Sequence, residues 1–150
     1  MPRSPRNSLP DCGIYHVTAR GVDRSLIVRD DIDRRALQEL VIKTEGRFGW
    51  RYDVYCLMSN HFHLVVRSTL PSLSRGMHWL NGIYAQRFNR RYGRRGHLFE
   101  NRFSSWIMKS EEHWLDTCRY VLENPVKAGL CEFALDWPWS GGRFLRQYRP

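Results

Sequence analysis

Three observations predict an α+β chain built on one antiparallel sheet. Ile14 to Arg20 and His61 to Arg67 are short segments with the two-residue period of a strand. Two longer stretches, after Asp30 and after Pro71, repeat apolar residues at three- and four-residue intervals, the period of a helix. The punctuation between them is that of caps and tight turns: Gly49, Ser59-Asn60, Gly93 and Ser110.

Each element follows from its own residues. In the first strand Tyr15, Val17 and Ala19 share one face, and Ile14, His16, Thr18 and Arg20 the other; Gly21 ends it. Asp30, Asp31 and Asp33 place acid where a helix dipole favours it. Ile32, Ala36, Leu37, Leu40 and Val41 then carry the helix stripe until Gly46 and Gly49 close it. Trp50 to Met58 is rich in aromatic and β-branched residues and pairs through the Ser59-Asn60 turn with His61 to Arg67 as a hairpin. Pro71-Ser72 opens a second helix, with Leu73, Met77, Leu80, Tyr84 and Phe88 on one stripe, that runs to Tyr92. Residues 97–109 form a fourth strand, and Ser110 caps a third helix with Glu111 and Glu112 in its first turn. Asn124-Pro125 ends that helix's regular part.

The resulting order, β-α-β-β-α-β-α, is the ferredoxin-like arrangement. It implies a four-stranded antiparallel sheet with two helices on one face, the other face free, and an extra C-terminal helix. Residues 1–12, with three prolines plus Arg3 and Arg6, read as a basic arm. Residues 13–143 read as one domain and 144–150 as a basic tail.

Composition narrows the function. The chain has 24 Lys and Arg against 15 Asp and Glu, a net charge of +9, and only Lys43, Lys109 and Lys127 are lysines. Arginine dominance suits bidentate phosphate contacts and stacking on bases, so an anionic polymer is the expected partner. No apolar run is long enough to span a membrane, and the first residues lack the apolar core of a signal peptide. Cys12, Cys56, Cys118 and Cys131 show no CxxC spacing and read as reduced thiols in a cytoplasmic protein.

His61-Phe62-His63 is the most informative triplet. Two residues apart on a strand, both imidazoles share a face about 6–7 Å apart and can converge on one cation. The polar side of the first strand, with His16, Thr18 and Arg20, belongs to that same face. On the third helix, Trp114, Leu115, Cys118, Val121 and Leu122 form the apolar stripe, and Tyr120 falls roughly 160° from its centre. A core tyrosine would lie on the stripe. Asn124, one turn further on, shares the face of Tyr120, so a phenol and an amide can reach one site. From 71 to 110 there are eight cations and one anion, Glu100, with Tyr84, Tyr92 and Phe99 interleaved. Arg87, Arg90, Arg91, Arg94, Arg95 and Arg102, joined by Arg20 and Arg24, are the candidate nucleic-acid-binding residues.

The ordered set of Tyr15 to Gly21 (YHVTARG), Met58 to Leu64 (MSNHFHL), Gly93 to Phe103 (GRRGHLFENRF), Arg119-Tyr120, Asn124 to Leu130 (NPVKAGL) and Trp137 to Ser140 (WPWS) resembles the REP-associated tyrosine transposases. These are a bacterial branch of the single-tyrosine HUH nucleases. The resemblance runs from residue 12 to residue 143. It implies that His61 and His63 are the metal-binding HUH pair, that Tyr120 is the nucleophile, and that Asn124 is the third metal ligand. It also implies Mg²⁺ or Mn²⁺ as cofactor, without a nucleotide. The implied activity is cleavage and rejoining of single-stranded or hairpin DNA at short palindromic repeats through a 5′-phosphotyrosine.

The expectation is therefore a DNA transposase or endonuclease of the bacterial cytoplasm, associated with the nucleoid, acting as a monomer or homodimer. Two other classes share the same residues. A catalytically inactive single-strand-binding protein would keep the arginine surface without the chemistry. A metal-dependent hydrolase using water would cleave without becoming attached to DNA.

Overall fold

Local sequence and structure agree in the order of elements. The computed structural model describes residues 12–150, so the arm expected at 1–12 lies, but for Cys12, outside the described residues. The elements are β1 (Gly13–Arg20), α1 (Asp31–Phe48), β2 (Arg51–Leu57), β3 (His61–Ser68), α2 (Leu70–Tyr92), β4 (Ser104–Ile107), α3 (Glu111–Lys127) and β5 (Ser140–Gly141). The sheet order is β4-β1-β3-β2-β5, antiparallel throughout.

The helix boundaries are set by side-chain caps. Asp30, Thr69 and Ser110 each accept a hydrogen bond from a backbone N–H three residues on, at Asp33, Ser72 and His113. Gly49 and Gly93 end α1 and α2 in the left-handed conformation, at φ of 71° and 61°. The expected two-residue hairpin turn is present: Met58 N–H donates to His61 O at 2.9 Å across Ser59-Asn60.

Alternation along β3 sorts the core into two layers. Phe62, Leu64 and Val66 face α1 and α2, packed with Leu37, Leu40, Leu73, Met77 and Leu80. His61, His63 and Val65 face the other way. In β2 a bulge between Tyr52 and Val54 resets the alternation, so Tyr52 and Tyr55 both enter the helical layer while Val54 and Cys56 face away.

Three expectations are corrected. The sheet has five strands rather than four, because Ser140-Gly141 adds a short edge to β2. The expected strand over 97–109 pairs as a strand only over 104–107; before it, Gly21 and Phe99 make one isolated bridge. The second sheet face is not free. Cys118, Val121 and Leu122 of α3 pack on Val54, Cys56 and Val65. Residues 144–150 join this layer, since Phe144 and Tyr148 are buried in it and the Tyr148 hydroxyl donates to Glu123 at 2.9 Å.

α3 also passes through Pro125 instead of stopping there. The proline is buried, and the helix continues to Lys127 before Ala128, Gly129 and Leu130 close it with backbone bonds to Asn124, Val126 and Pro125. Its start is tied to the sheet by Trp114 Nε1, which donates to Asp53 Oδ2 at 2.7 Å. Asp53, buried, also accepts from Arg67 Nε at 3.0 Å. All four cysteines are free, and among the described residues no helix is long and apolar enough to cross a membrane.

Candidate active site

The register of the sheet and the seating of α3 build one polar site. Antiparallel pairing sets Thr18 opposite His63 and Arg20 opposite His61, so the polar side of β1 meets both histidines. Because α3 covers the half of this face over β2 and β3, its flank bearing Tyr120 and Asn124 stands beside the histidines.

The contacts are close. Asn124 Nδ2 lies 3.3 Å from His63 Nε2. The Tyr120 ring is 5.8 Å from the His63 ring, edge to face, and Tyr120 itself stays 45% exposed. The His61 and His63 ring centroids are 4.9 Å apart, and Asn60 Oδ1 sits 2.7 Å from His61 Nδ1. Lys127 Nζ is 5.2 Å from the Tyr120 ring centroid, an added positive charge beside the phenol.

Electrostatics keep the imidazoles neutral. Burial pushes His63 down to about 3, with His61, His16 and Arg20 adding to the shift. Burial lowers His61 as well, helped by the Arg20 charge. A neutral imidazole has one nitrogen lone pair to offer, which is the state a metal ligand requires.

His16 and Trp106, like Lys127 and Asn60, stand at the site with no role assigned from sequence. His16 Nε2 is 3.1 Å from His63 Nδ1, and the two rings stack at 5.3 Å. Burial and the neighbouring His113 lower His16 to about 4, so it too is neutral. Trp106 of β4 packs on His16 at 5.2 Å and remains 51% exposed, a stacking surface beside the site. The signal for His16 was its place on the polar face of the first strand; Trp106 lay in a segment whose pairing was not resolved from sequence.

The candidate arginines divide. Arg20 is the one that stands at the histidines. Arg24 follows β1 with a left-handed backbone, φ 58°, and its carbonyl accepts from Asn60 Nδ2 at 3.4 Å. Arg87, Arg90 and Arg91 are on α2, in the layer on the far side of the sheet, with Arg94 and Arg95 in the turn that follows. Arg91 is committed to two carboxylates, Asp30 and Asp33, at 2.6 Å each, where it pins α2 to the start of α1. Arg94 donates to Asn89 Oδ1 at 2.7 Å, and Arg102 is exposed on the lead into β4.

A divalent cation fits the donor set of His61, His63 and Asn124. It comprises two neutral imidazoles and an amide whose oxygen reaches the same point when the group turns over. Among the described residues no three His, Cys, Asp or Glu side chains form a metal-holding group, and Asn124 is the further polar donor beside His63.

The sequence profile of the family described as IS200-like transposase matches residues 12–124. A REP-associated tyrosine transposase bound to a REP hairpin is similar in structure, with a TM-score of 0.65 at 18% identity over 93% of this chain and 82% of that one. A protein described as a transposase from Deinococcus radiodurans R1 aligns with a TM-score of 0.53 at 17% identity over 81% of this chain and 96% of that one. At these identities the likeness establishes the fold. No curated protein matches the chain.

Proposed function

The chain belongs to the IS200-like transposase family, and from that premise we propose that it cleaves and rejoins single-stranded DNA through a covalent bond to Tyr120. The observation that carries this reading is the approach of α3 to β3, which holds Tyr120 and Asn124 beside the His61-Phe62-His63 strand. In keeping with the REP-associated branch, whose structural relative is bound to a REP hairpin, we take a hairpin-flanked single strand as the substrate.

In the reaction Tyr120 Oη attacks the scissile phosphorus in line. The Oη–P bond forms as the P–O3′ bond breaks, giving a 5′-phosphotyrosine and a free 3′-hydroxyl. The phenol releases one proton to water and the 3′-oxygen takes one up, so no proton is consumed. The phosphodiester energy is retained in the adduct, and rejoining to another 3′-hydroxyl needs no nucleotide cofactor. Lys127, whose Nζ lies 5.2 Å from the Tyr120 ring centroid, is placed to meet negative charge at the attacked phosphate. Arg20, beside His61, is placed to hold a phosphate oxygen.

His61, His63 and Asn124 would hold Mg²⁺ or Mn²⁺, which when bound supplies a Lewis acid that polarises a non-bridging phosphate oxygen. His63 must then present the Nε2 lone pair, with its proton on Nδ1. His16 Nε2 accepts that proton's hydrogen bond at 3.1 Å and so fixes the tautomer.

The test is a denaturing gel after incubation with labelled hairpin DNA and Mn²⁺. Wild type should carry label on the peptide holding residues 120–124, and chelation of the metal should abolish it. Tyr120→Phe should fold and bind the same DNA without forming an adduct. Cleavage with no adduct would replace this reading with hydrolysis by water, and binding without cleavage would leave a binding protein only.

A further inference from the structure

A cavity lies across the sheet edge from the histidines and takes no part in the reaction above. It measures about 760 Å³, within the roughly 300–1,000 Å³ typical of small-ligand sites. One wall is the α2 face bearing Met77, Asn81 and Ala85, which are four residues apart. The other is the segment from Gly96 to Phe103 with Ser105 of β4.

Backbone bonds fix that second wall. Val22 N–H donates to Leu98 O and Glu100 N–H to Arg20 O, both at 2.9 Å, while Asn89 Nδ2 donates to Gly96 O at 2.9 Å. Phe99 forms an apolar side of the cavity, set edge to face against Phe62 at 5.9 Å. Asn81 Oδ1 is buried with no hydrogen-bond partner among the described residues. A buried acceptor left unmet is costly, and such a group calls for a donor from outside the protein.

We propose that this cavity takes one unpaired nucleobase of the bound DNA, and that Asn81 Oδ1 accepts from its exocyclic amine. Adenine, cytosine and guanine carry such an amine and thymine does not. The proposal rests on the reading that this chain binds single-stranded DNA. Phe103, half-buried, supplies flat apolar surface for the ring, and Arg102 supplies charge for the adjoining phosphate.

The position of β4 connects this cavity to the reaction. It is the outermost strand on its side, and successive residues point to opposite faces: Ser105 lines the cavity while Trp106 packs on His16. A DNA strand crossing this edge can set its scissile phosphate at the histidines and a flanking base against Asn81.

Two variants test it by metal-free fluorescence anisotropy with oligo(dA), oligo(dC) and oligo(dT). A Cβ at Gly82, which lines the cavity, meets nothing within 4 Å, so Gly82→Leu adds bulk from an open position. It should weaken oligo(dA) and oligo(dC) roughly tenfold, the effect of one stacked base. Asn81→Leu should melt at the same or a higher temperature, since an unmet buried acceptor is removed. It should also lose the preference of wild type for oligo(dA) and oligo(dC) over oligo(dT). Wild-type affinities in both variants, for all three oligonucleotides, would overturn the cavity's role alone. A wild type that binds none of the three would overturn the DNA-binding reading and the cavity with it.

Discussion

His16 shows how much one contact decides at the scale of the residue. Its ring is half-buried, neutral and 3.1 Å from His63, yet it belongs to neither the His61-Phe62-His63 triplet nor α3. If it fixes the His63 tautomer, His16→Leu should weaken Mn²⁺ binding by calorimetry roughly 10–100-fold, the usual cost of losing such a support. His16→Gln, which keeps an acceptor, should recover part of that loss, and single-strand affinity should be the same in both. Equal Mn²⁺ affinity in wild type and His16→Leu would leave the residue a purely structural role. The HFH pair and the outlying Tyr120 were legible because period and helical wheel are local properties. The contact of His16 with His63 was not, because it depends on the register that sets Thr18 opposite His63, a pairing across 45 positions of chain.

At the scale of the element, α3 is what turns a sheet face into a site. Its apolar stripe and Ser110 cap were readable in sequence, but its seat on β2 and β3 and its passage through Pro125 were not. A proline normally ends a helix because it removes an N–H; here Pro125 is buried, and the closing bonds after it retain the last turn. The opposite end hangs on Trp114 and the buried Asp53 carboxylate. Trp114→Phe should cost about 1.5–3 kcal/mol, the range for a hydrogen bond to a charged group, measured by urea unfolding. It should reduce adduct formation more than DNA binding, since α3 positions Tyr120. A stability equal to wild type would show that the indole bond does not anchor the helix. The α1–α2 contact has its own signature in acid. Arg91 and the backbone N–H of Asp33 hold the Asp30 carboxyl down to about 2 from an ordinary 3.8. Asp30 thus contributes stability that is complete above about pH 4 and is lost as pH falls through 2. The melting-temperature gap between wild type and Arg91→Met should therefore narrow over that window. A gap of constant size would mean that the Asp30 proton is not linked to folding.

On the scale of the whole molecule, the net charge of +9 points to a polyanion, but the location of the charge was hidden in topology. The run from Arg87 to Arg95 belongs to α2 and its following turn, and the sheet separates that helix from the histidines. Arg20 alone of the candidate cations stands at the site, while Arg102 lies at the β4 edge between the two sides. A strand bound only at the site would feel few of these charges, whereas one crossing the β4 edge would meet Arg102 and then the basic turn after α2. Salt dependence separates the two paths, because each phosphate contact with a single strand contributes a log–log slope of about −0.7. Replacing Arg90, Arg94, Arg95 and Arg102 together by Gln should flatten the slope by roughly 2 or more if the strand crosses that edge. Arg91→Gln should leave the slope as it is, since its guanidinium is held by Asp30 and Asp33. A fourfold variant with the wild-type slope would confine the DNA to the histidine face, with Arg20 as its chief cation.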